Sequence, residues 1–422
     1  MRNLLRHLIL LMLLVAGMAT SAMADSNYLA IVTVTDGANV NAIASAYNGK
    51  VLDALPGNVY LMSLKLVTPK TPVTGIVSID TTTLVKDGRS KGGVISVRPG
   101  ITPDWYYGQP ALTLIGIPQA RTKSTGKGVV IADINSAIDY SHPSLRGHLI
   151  AGYDFVIGRS SDYALDQSSA TFLDQSAATF LDQSSATFLD QSSATFLDQS
   201  SATFLDQSSA TFLDATNPAH GHGTMVAGIL VAVAPDAMIM PIRAFDDQGN
   251  TDDFTIAKSI RWAVDNGADI INMSFGTLSQ SKLIKDAVDY ADKHGVTMVA
   301  SAGNDGINQP QYPAAFDKVV SVASTNLLDI KAPFSNFGGS IDVSAPGVSI
   351  IAPYPGGYFA VVSGTSFSAP LAAGEAALVR SLTQKTNEKD RVKGRSHKID
   401  QLNPGVGLGQ GRIDVNAALD LK

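Results

Sequence analysis

The sequence predicts an α/β fold in which a doubly wound, mostly parallel sheet follows a small N-terminal α+β domain. From residue 129 onward, continuous apolar runs alternate with helix-like stretches, and such runs are typical of strands buried on both faces of a parallel sheet. Residues 28–97 instead show short β-like runs around a single helical stretch. Together the two patterns predict two domains of unequal size.

The composition of the chain narrows the classes of function. The chain has 422 residues, no cysteine and a formal net charge of -6. Its length allows a large core and more than one domain, and its slight acidity argues against nucleic acid as the main partner. Without disulfides, an exported fold must be stabilised by its core, with bound ions as a second source of stability.

The first 24 residues have the pattern of an export signal. Basic Arg2 and Arg6 precede an apolar run over residues 8–16, which is too short to span a bilayer, and residues 22–24, Ala-Met-Ala, form a small-x-small cleavage site. We therefore expect a cleaved signal peptide, with an uncleaved anchor as the alternative. The mature protein is expected to be secreted, to the periplasm or the extracellular space.

Residues 25–103 are predicted to form the small α+β domain. Its strand candidates are residues 28–34, 58–64 and 94–97, and its helix candidate is residues 40–47. No residue pattern in this domain indicates chemistry. Residues 103–110, rich in proline, glycine and aromatic residues, are predicted to be a linker.

Residues 104–422 are predicted to form the larger domain. Its strand candidates are residues 129–132, 237–243, 269–274, 297–300 and 319–323. Its helix candidates are residues 254–266, 281–294 and 366–381. In a doubly wound sheet, sites form at the carboxyl ends of the strands, so we expect chemistry where these strands end.

An octapeptide repeat interrupts the larger domain at residues 167–214. The unit Gln-Ser-Ser-Ala-Thr-Phe-Leu-Asp recurs with a variation at Ala177. A period of eight fits neither a heptad nor an eleven-residue coil, and the absence of glycine does not fit the calcium-binding nonapeptide pattern. We expect a surface insertion, which loop-closure entropy tolerates. A stacked hairpin array and an adhesive surface are the alternatives.

Four motifs carry the candidate chemistry. A serine hydroxyl is a poor nucleophile unless a base lies within hydrogen-bond reach, so a serine alone in such a motif indicates only a helix cap. The chain also supplies a histidine at the start of a helix, an asparagine after a strand and an acidic strand end. The motifs are residues 364–370 with Ser366, 220–228 with His222, 300–306 with Asn304, and 131–143 with Asp133 and Asn135.

In their order along the chain, these motifs resemble those of the subtilisin-like serine peptidases. The resemblance extends to residues 233–235, 271–276 and 409–415, so the larger domain resembles one catalytic domain. The N-terminal domain resembles the I9-like propeptide of that family, which assists folding and blocks the cleft until it is removed. The resemblance implies no cofactor for the chemistry, and it allows structural calcium, for which the sequence assigns no site.

The resemblance also implies the roles of the motif residues. Ser366 is expected to attack the peptide carbonyl, and His222 is expected to take its proton and return it to the leaving amine. The Asn304 side-chain amide and the Ser366 backbone N–H are expected to hold the oxyanion. His220, which precedes the motif position by two residues, is expected to be a loop residue.

The chain departs from the family pattern at the acid position, where Asn135 replaces the aspartate. Asparagine can accept a hydrogen bond from His222, but it brings no charge and can favour the wrong tautomer. Asp133 precedes it by two, so both side chains point to one face of a strand. Three alternatives remain open: Asp133 orients His222 directly or through a water, a weakened enzyme relies on Asn135, or the homologue is inactive. Asp139 is expected to cap a turn.

Two further segments are predicted to line a cleft in which a peptide pairs as an added strand. They consist of Ser274, Phe275 and Gly276, and of Ser301, Ala302 and Gly303; Phe275 equally fits ordinary packing. The predicted function is a secreted serine endopeptidase that acts on polypeptides and is inhibited by its own N-terminal module. The alternative is an inactive homologue that binds peptides or proteins. No nucleic acid partner is expected, and no membrane after signal cleavage.

Overall fold

The computed structural model describes residues 27–65, 73–82, 84–87, 91–95, 102–157, 159–160, 221–246, 248–383 and 388–420. The chain divides into two compact units between residues 83 and 84. The predicted signal peptide, the octapeptide repeat and His220 lie outside the described residues.

The first unit contains an antiparallel sheet and one helix. The helix begins after Asn39, whose side chain accepts a hydrogen bond from the Ala42 backbone N–H at 3.0 Å. Alternate strand residues such as Ala30 and Val32 are fully buried with Met62 in a small core. The elements are β1 (Asn27–Val34), α1 (Val40–Ala46), β2 (Lys50–Leu55), β3 (Val59–Lys65) and β4 (Ile76–Thr81), with the strands in the order β2-β3-β1-β4.

Two short strands follow the first unit, β5 (Leu84–Asp87) and β6 (Lys91–Ile95). Both pair with strands of the second unit. The compact units therefore separate at residue 83, whereas the sequence places the end of the small domain at residue 103. The sequence contains no local signal for this difference because the strand partners lie more than a hundred positions further along the chain.

The second unit contains the remaining elements. Its strands are β7 (Val130–Asn135), β8 (Tyr153–Asp154), β9 (Arg159–Ser160), β10 (Met238–Arg243), β11 (Asn250–Asp252), β12 (Ile270–Met273), β13 (Phe275–Gly276), β14 (Thr297–Ser301), β15 (Val319–Thr325), β16 (Val343–Pro346), β17 (Ile350–Tyr354) and β18 (Tyr358–Ser363). Its helices are α2 (Asp104–Tyr107), α3 (Pro110–Leu114), α4 (Ile117–Ala120), α5 (His222–Val233), α6 (Asp253–Asp265), α7 (Lys282–Lys293), α8 (Thr365–Thr383), α9 (Glu388–Gly394) and α10 (Val415–Ala418).

The central sheet of the second unit has the order β16-β15-β14-β12-β7-β10-β8-β9. All its described pairs are parallel except β8 with β9. Helices α5 and α8 pack on each other, and so do α6 and α7. The predicted α/β fold with a mostly parallel sheet is confirmed. None of the described helices combines the length and apolar character needed to cross a membrane.

The linker predicted at residues 103–110 is instead helical. Pro103 precedes α2 and Pro110 is the first residue of α3, positions at which proline is pre-organised for a helix. Tyr106 is fully buried and its hydroxyl donates to the Gly228 carbonyl at 2.5 Å. Gln109 forms hydrogen bonds with both backbone groups of Ile351, so this segment is part of the core.

Candidate active site

The candidate site lies where the strand order of the central sheet reverses. The chain passes from β7 to β10 on one side of β7 and then returns to β12 on the other side. Asn135 is the last residue of β7, and Asp133 precedes it on the same buried strand. The carboxyl end of a strand at such a switch point is where doubly wound sheets form their sites.

Helix α5 brings His222 to the end of β7. A methyl group built on Gly223 would lie 2.6 Å from the Ser136 carbonyl oxygen and 2.7 Å from that of Ala137. Only a residue without a side chain allows the start of the helix to approach this turn so closely. The result is a hydrogen bond of 2.7 Å between His222 Nδ1 and Asn135 Oδ1.

The neighbours of Asn135 fix the orientation of its amide. The Ser136 backbone N–H donates to Oδ1 at 2.9 Å, and Nδ2 lies 3.3 Å from both carboxyl oxygens of Asp133. A backbone N–H can only donate and a carboxylate can only accept, so Oδ1 must face the histidine. His222 Nδ1 then carries the proton and Nε2 is left as an acceptor, which is the tautomer that a general base requires.

Burial changes the protonation of both titratable groups. It raises the pKa of Asp133 to about 7, although hydrogen bonds from Asn272 and Asn135 oppose this rise. It lowers the pKa of His222 to about 4, so the imidazole is neutral near pH 7. Among the described residues, His222 Nε2 has no hydrogen-bond partner. The histidine is therefore in the form that can accept a proton.

Ser366 is the second residue of helix α8, where backbone N–H groups lack intrahelical partners. Asn304 Oδ1 accepts hydrogen bonds from the Thr365 backbone N–H at 2.8 Å and from its hydroxyl at 2.9 Å. This leaves Asn304 Nδ2 beside Gly364, 3.6 Å from the position of a built Cβ. A side-chain donor and a helix N-terminus thus both lie at the serine motif.

Ser274 holds Ser366 through two hydrogen bonds. Pro370 has no N–H, so the carbonyl of Ser366 four residues earlier receives no helical bond from it. That carbonyl instead accepts from Ser274 Oγ at 2.9 Å, while Ser366 Oγ donates to the Ser274 carbonyl at 3.1 Å. The serine motif and the first predicted cleft segment are therefore in direct contact.

The hydrogen bond predicted between Ser366 and His222 is not formed within the described part of the chain. The hydroxyl is directed to Ser274, and both residues are buried, with exposures of 2% for Ser366 and 1% for His222. The imidazole nevertheless lies beside the serine motif, with its ring centroid 5.8 Å from that of Phe367. The structure brings the two groups into one neighbourhood without joining them.

The two predicted cleft segments follow neighbouring parallel strands, β12 and β14. Ser274, Phe275 and Gly276 come after β12, whereas Ser301 ends β14 and Ala302 and Gly303 follow it. The Phe275 side chain is buried, with its ring centroid 5.0 Å from that of Phe245. The Phe275 side chain therefore serves packing, and its backbone pairs with another strand of the chain.

Strand β5 pairs with the first cleft segment, and strand β6 pairs with the strand that leads into the serine motif. Strand β5 lies between β11 and β13 as an antiparallel strand, with Lys86 opposite Gly276 and Asp87 opposite Phe275. Strand β6 pairs with β18, where Lys91 lies opposite Ser363, three residues before Ser366. The sequence gives no signal for this arrangement, because the partners of both strands are distant along the chain.

Sequence analysis also missed Asn272. Its Nδ2 donates to Asp133 Oδ1 at 2.9 Å and to Ser274 Oγ at 3.1 Å, so it connects the acid to the serine side of the site. A polar residue within the apolar strand β12 was its signal in the sequence. Asp139 instead accepts from Ser141 and Gly356, as expected of a turn cap.

The described residues offer no candidate site for structural calcium. Within the described ranges, no cluster of three or more His, Asp and Glu side chains is placed to hold a metal ion. Structural calcium therefore stays a prediction without an assigned site.

The profile of the Subtilase family matches residues 126–399. Thermitase of Thermoactinomyces vulgaris is 29% identical over 316 residues, which cover 72% of this chain and 93% of thermitase. The minor extracellular protease Epr of Bacillus subtilis is 41% identical over 192 residues, which cover 43% of this chain and only 30% of Epr.

A solved structure covers more of the chain. Fervidolysin from Fervidobacterium pennivorans, described as a keratinolytic enzyme related to subtilisin, aligns with a TM-score of 0.68 and 24% identity. The alignment covers 95% of this chain and 62% of fervidolysin. At this identity the likeness concerns the fold alone, and it agrees with the parallel sheet described above.

Proposed function

The chain belongs to the subtilase family of serine peptidases, and we propose that it is an endopeptidase that forms an acyl-enzyme on Ser366. The observation that carries this proposal is the 2.7 Å hydrogen bond between His222 Nδ1 and Asn135 Oδ1. It leaves Nε2 of a neutral imidazole without a partner among the described residues, beside the serine motif. Such a nitrogen is ready to act as a general base.

The first step requires the Ser366 hydroxyl to leave the Ser274 carbonyl. A change of the serine χ1 angle directs it to His222 Nε2, and hydrogen bonds of this kind often form only when substrate is bound. The oxygen then attacks the peptide carbonyl while Nε2 takes the proton. The C–N bond breaks, the amine leaves with that proton, and water hydrolyses the resulting ester by the same base.

Charge that develops on the carbonyl oxygen needs donors in place before the reaction. The Asn304 Nδ2 group and the Ser366 backbone N–H are proposed for this role. The position of Asn304 supports it, because its Oδ1 accepts from Thr365 and its Nδ2 lies beside Gly364, two residues before Ser366. In subtilisin, the loss of an asparagine that donates to the oxyanion lowers the rate by roughly 10²–10³.

Asn135 takes the acid position in this proposal, and Asp133 acts through it. No described hydrogen bond joins Asp133 to His222 directly, whereas Asn135 contacts both. The carboxylate would hold the amide in its productive orientation and strengthen Oδ1 as an acceptor. Among the alternatives left by the sequence, the geometry favours an indirect role for Asp133 over a direct one.

The N-terminal residues 25–103 are proposed to be a propeptide that inhibits the enzyme. The pairing of β5 with β13 supports this, because β5 takes the position that an added substrate strand would take. Secretion is also proposed, because residues 1–24 have the pattern of an export signal. The roles suggested for the repeat at residues 167–214 stay proposals as well.

A fluorophosphonate probe tests the proposed function. The purified full chain is incubated with the probe and sampled over time, so that any maturation is included. We expect covalent labelling of Ser366, its loss in Ser366→Ala, and a strong decrease in His222→Ala. Labelling that persists in Ser366→Ala contradicts the assignment of the nucleophile.

A control must address Asn135. It precedes Ser136, and slow deamidation would create an aspartate at the acid position. Mass spectrometry of that peptide should accompany each assay, and only labelling by the asparagine form supports the proposal. If the chain is not labelled but still binds peptides, the protein is a binding module rather than an enzyme.

A further inference from the structure

Asn272 contacts both halves of the site. It lies opposite Asp133 in the parallel pairing of β12 with β7, and its Nδ2 donates to Asp133 Oδ1 at 2.9 Å. Ser274 follows it by two residues, and the same Nδ2 donates to Ser274 Oγ at 3.1 Å. The register of the sheet therefore places one amide group against the acid and against the residue that holds Ser366.

The partners of Asn272 allow only one orientation of its amide. An ionised carboxylate can only accept a hydrogen bond, and the Ser274 hydroxyl already donates its proton to the Ser366 carbonyl at 2.9 Å. Both neighbours of Asn272 therefore require a donor, so its Nδ2 must face them. Hydrogen bonds consequently run without a break from the Ser366 backbone to the Asp133 carboxylate.

The oxygen of the same amide makes no such contact. Asn272 is fully buried, and its Oδ1 has no hydrogen-bond partner in the ranges that the structure describes. An unpaired buried acceptor destabilises a fold, so an apolar side chain of similar size would suit the packing of β12 better than asparagine does. The amide at this position is explained instead by the two hydrogen bonds that its Nδ2 donates.

Asn272 also provides the shorter of the two amide hydrogen bonds to Asp133. Its Nδ2 lies 2.9 Å from one carboxyl oxygen, whereas Nδ2 of Asn135 lies 3.3 Å from each of the two. Hydrogen bonds to an ionised carboxylate stabilise its charged form. Burial raises the pKa of Asp133, and the bonds from Asn272 and Asn135, in that order, oppose this rise. Without Asn272, burial would favour the protonated acid more strongly.

Charged side chains also occur on the elements that pack against β7. On α5, His222 is neutral near pH 7 because burial lowers its pKa to about 4. Arg380 on α8 and Arg243 on β10 each pair with an aspartate. The others are Glu375 on α8 and, on α6, Asp253, Lys258, Arg261 and Asp265. The influences that oppose burial at Asp133 are instead the hydrogen bonds from its two amide neighbours.

We propose that Asn272 is a positioning residue of the peptidase, which holds the Asp133 carboxylate ionised against Asn135 and holds Ser274 against the Ser366 backbone. It acts through these neighbours and sets the lower pH limit of activity. This inference rests on the proposed peptidase function and on the indirect role of Asp133 in it. Asn272 lies outside the four motifs that carry the candidate chemistry.

The variant Asn272→Leu tests this role, because leucine keeps the volume of the side chain and removes its donor. The rate of fluorophosphonate labelling of Ser366 and kcat/KM for one peptide are measured from about pH 5 to about pH 10. We expect the pH of half-maximal activity to rise by about one to two units, because Asp133 loses a charged hydrogen bond. Activity near pH 7 should then fall by roughly 5- to 50-fold and recover in part at higher pH.

Ser274→Ala is the matched control. It removes the hydrogen bond to the Ser366 carbonyl but leaves the bond between Asn272 and Asp133 in place. We expect it to lower activity at every pH without moving the pH of half-maximal activity. In the background of Asp133→Asn, which has no acid to ionise at that position, Asn272→Leu should likewise cause no pH-dependent change.

The outcomes separate the positioning role from a structural one. If Asn272→Leu lowers activity by the same factor at every pH, or if Ser274→Ala raises the pH of half-maximal activity as much, the inference is wrong while the peptidase function stands. Should Asn272→Leu fail to fold, Asn272→Ala is measured in the same way and judged by the same outcomes. An original chain that is neither labelled nor hydrolyses peptides at any pH overturns the peptidase function, and the inference with it.

Discussion

Two buried carboxyl groups in the second unit have opposite environments. Asp133 on β7 accepts amide hydrogen bonds from Asn272 and Asn135, while neither oxygen of Glu375 on α8 has a partner among the described residues. Both residues are fully buried. Burial raises the pKa of Asp133 to about 7, and it raises that of Glu375 well above its ordinary value, with Asp414 adding to the rise.

This difference shows what hydrogen bonds do for a buried acid. The amide donors oppose the effect of burial on Asp133, so its carboxylate is populated near neutral pH and can act on Asn135. Glu375, in the helix that carries Ser366, lacks such donors, so nothing opposes the rise of its pKa by burial and by Asp414. A buried polar group without partners destabilises a fold, so Glu375 is expected to affect stability and Asp133 to affect catalysis.

The largest expected effect comes from exchanging the two residues of the acid position. The double variant Asp133→Asn with Asn135→Asp moves the carboxylate into contact with His222 Nδ1 and keeps the net charge. We expect kcat to rise on the order of 10²–10⁴, because the loss of this acid costs serine peptidases up to about 10⁴ in rate. The rate of peptide hydrolysis by the purified variant, compared with that of the original chain, measures this rise in kcat.

Its control is the single variant Asn135→Asp. This change places two carboxyl groups side by side, where one must hold a proton, so its gain should be smaller than that of the exchange. An exchanged variant no faster than the original chain would show that Asn135 does not limit the reaction.

An intermediate effect is expected for Asp133→Asn alone. The variant loses a charged hydrogen-bond acceptor, which is worth about 1.5–3 kcal/mol, so kcat/KM should fall by roughly 10- to 100-fold. The original chain should also gain activity as the pH rises through about 7, where Asp133 ionises. His222, with its pKa lowered to about 4, is already neutral near pH 7, so its titration adds no further rise in activity in that range.

A pH–rate profile from about pH 5 to about pH 9 distinguishes this role from a structural one. The rise in activity near neutral pH should disappear in Asp133→Asn, because the variant has no acid to ionise at that position. If the rise in activity near neutral pH persists unchanged in Asp133→Asn, another group titrates in that range and Asp133 has no part in the mechanism.

The smallest effect, on stability alone, is expected for Glu375→Gln. A carboxyl with a raised folded-state pKa contributes its full stability below its ordinary value of 4.5, and this contribution is lost as the pH rises. The variant should therefore gain stability relative to the original chain above that pH, by about 1–3 kcal/mol. Denaturant unfolding at two pH values measures the gain, and labelling of Ser366 should not change.

Glu388 provides a matched control. It is buried as well, but it forms an ion pair with Arg380 at 3.6 Å. Glu388→Gln should destabilise the fold, because it removes one of the two carboxylates that pair with the buried Arg380, the other being Asp269 at 3.0 Å. If both variants shift stability in the same direction, the ion pair with Arg380 is not what separates Glu388 from Glu375.

Most of the fold followed from local patterns. Continuous apolar runs are typical of strands buried on both faces of a parallel sheet, and such runs predicted the sheet. In the structure they form β7, β10, β12, β14 and β15. The predicted linker at residues 103–110 failed because proline and glycine mark helix starts as well as turns. The strand predicted at residues 94–97 overlaps β6, whereas β5 was not predicted. The partners of both strands were missed because they are distant in sequence.

The sequence by itself determined which residue types are available, namely Ser366, His222, Asn304 and Asn135. It also placed Asp133 and Asn135 on one face of a strand, because side chains on a strand alternate with a period of two. Only the tertiary structure decided that Asn135 connects Asp133 to His222 and that Asn272 donates a hydrogen bond to Asp133. Local backbone geometry sets the periodicity of an element, whereas contacts between elements depend on the order of strands in the sheet.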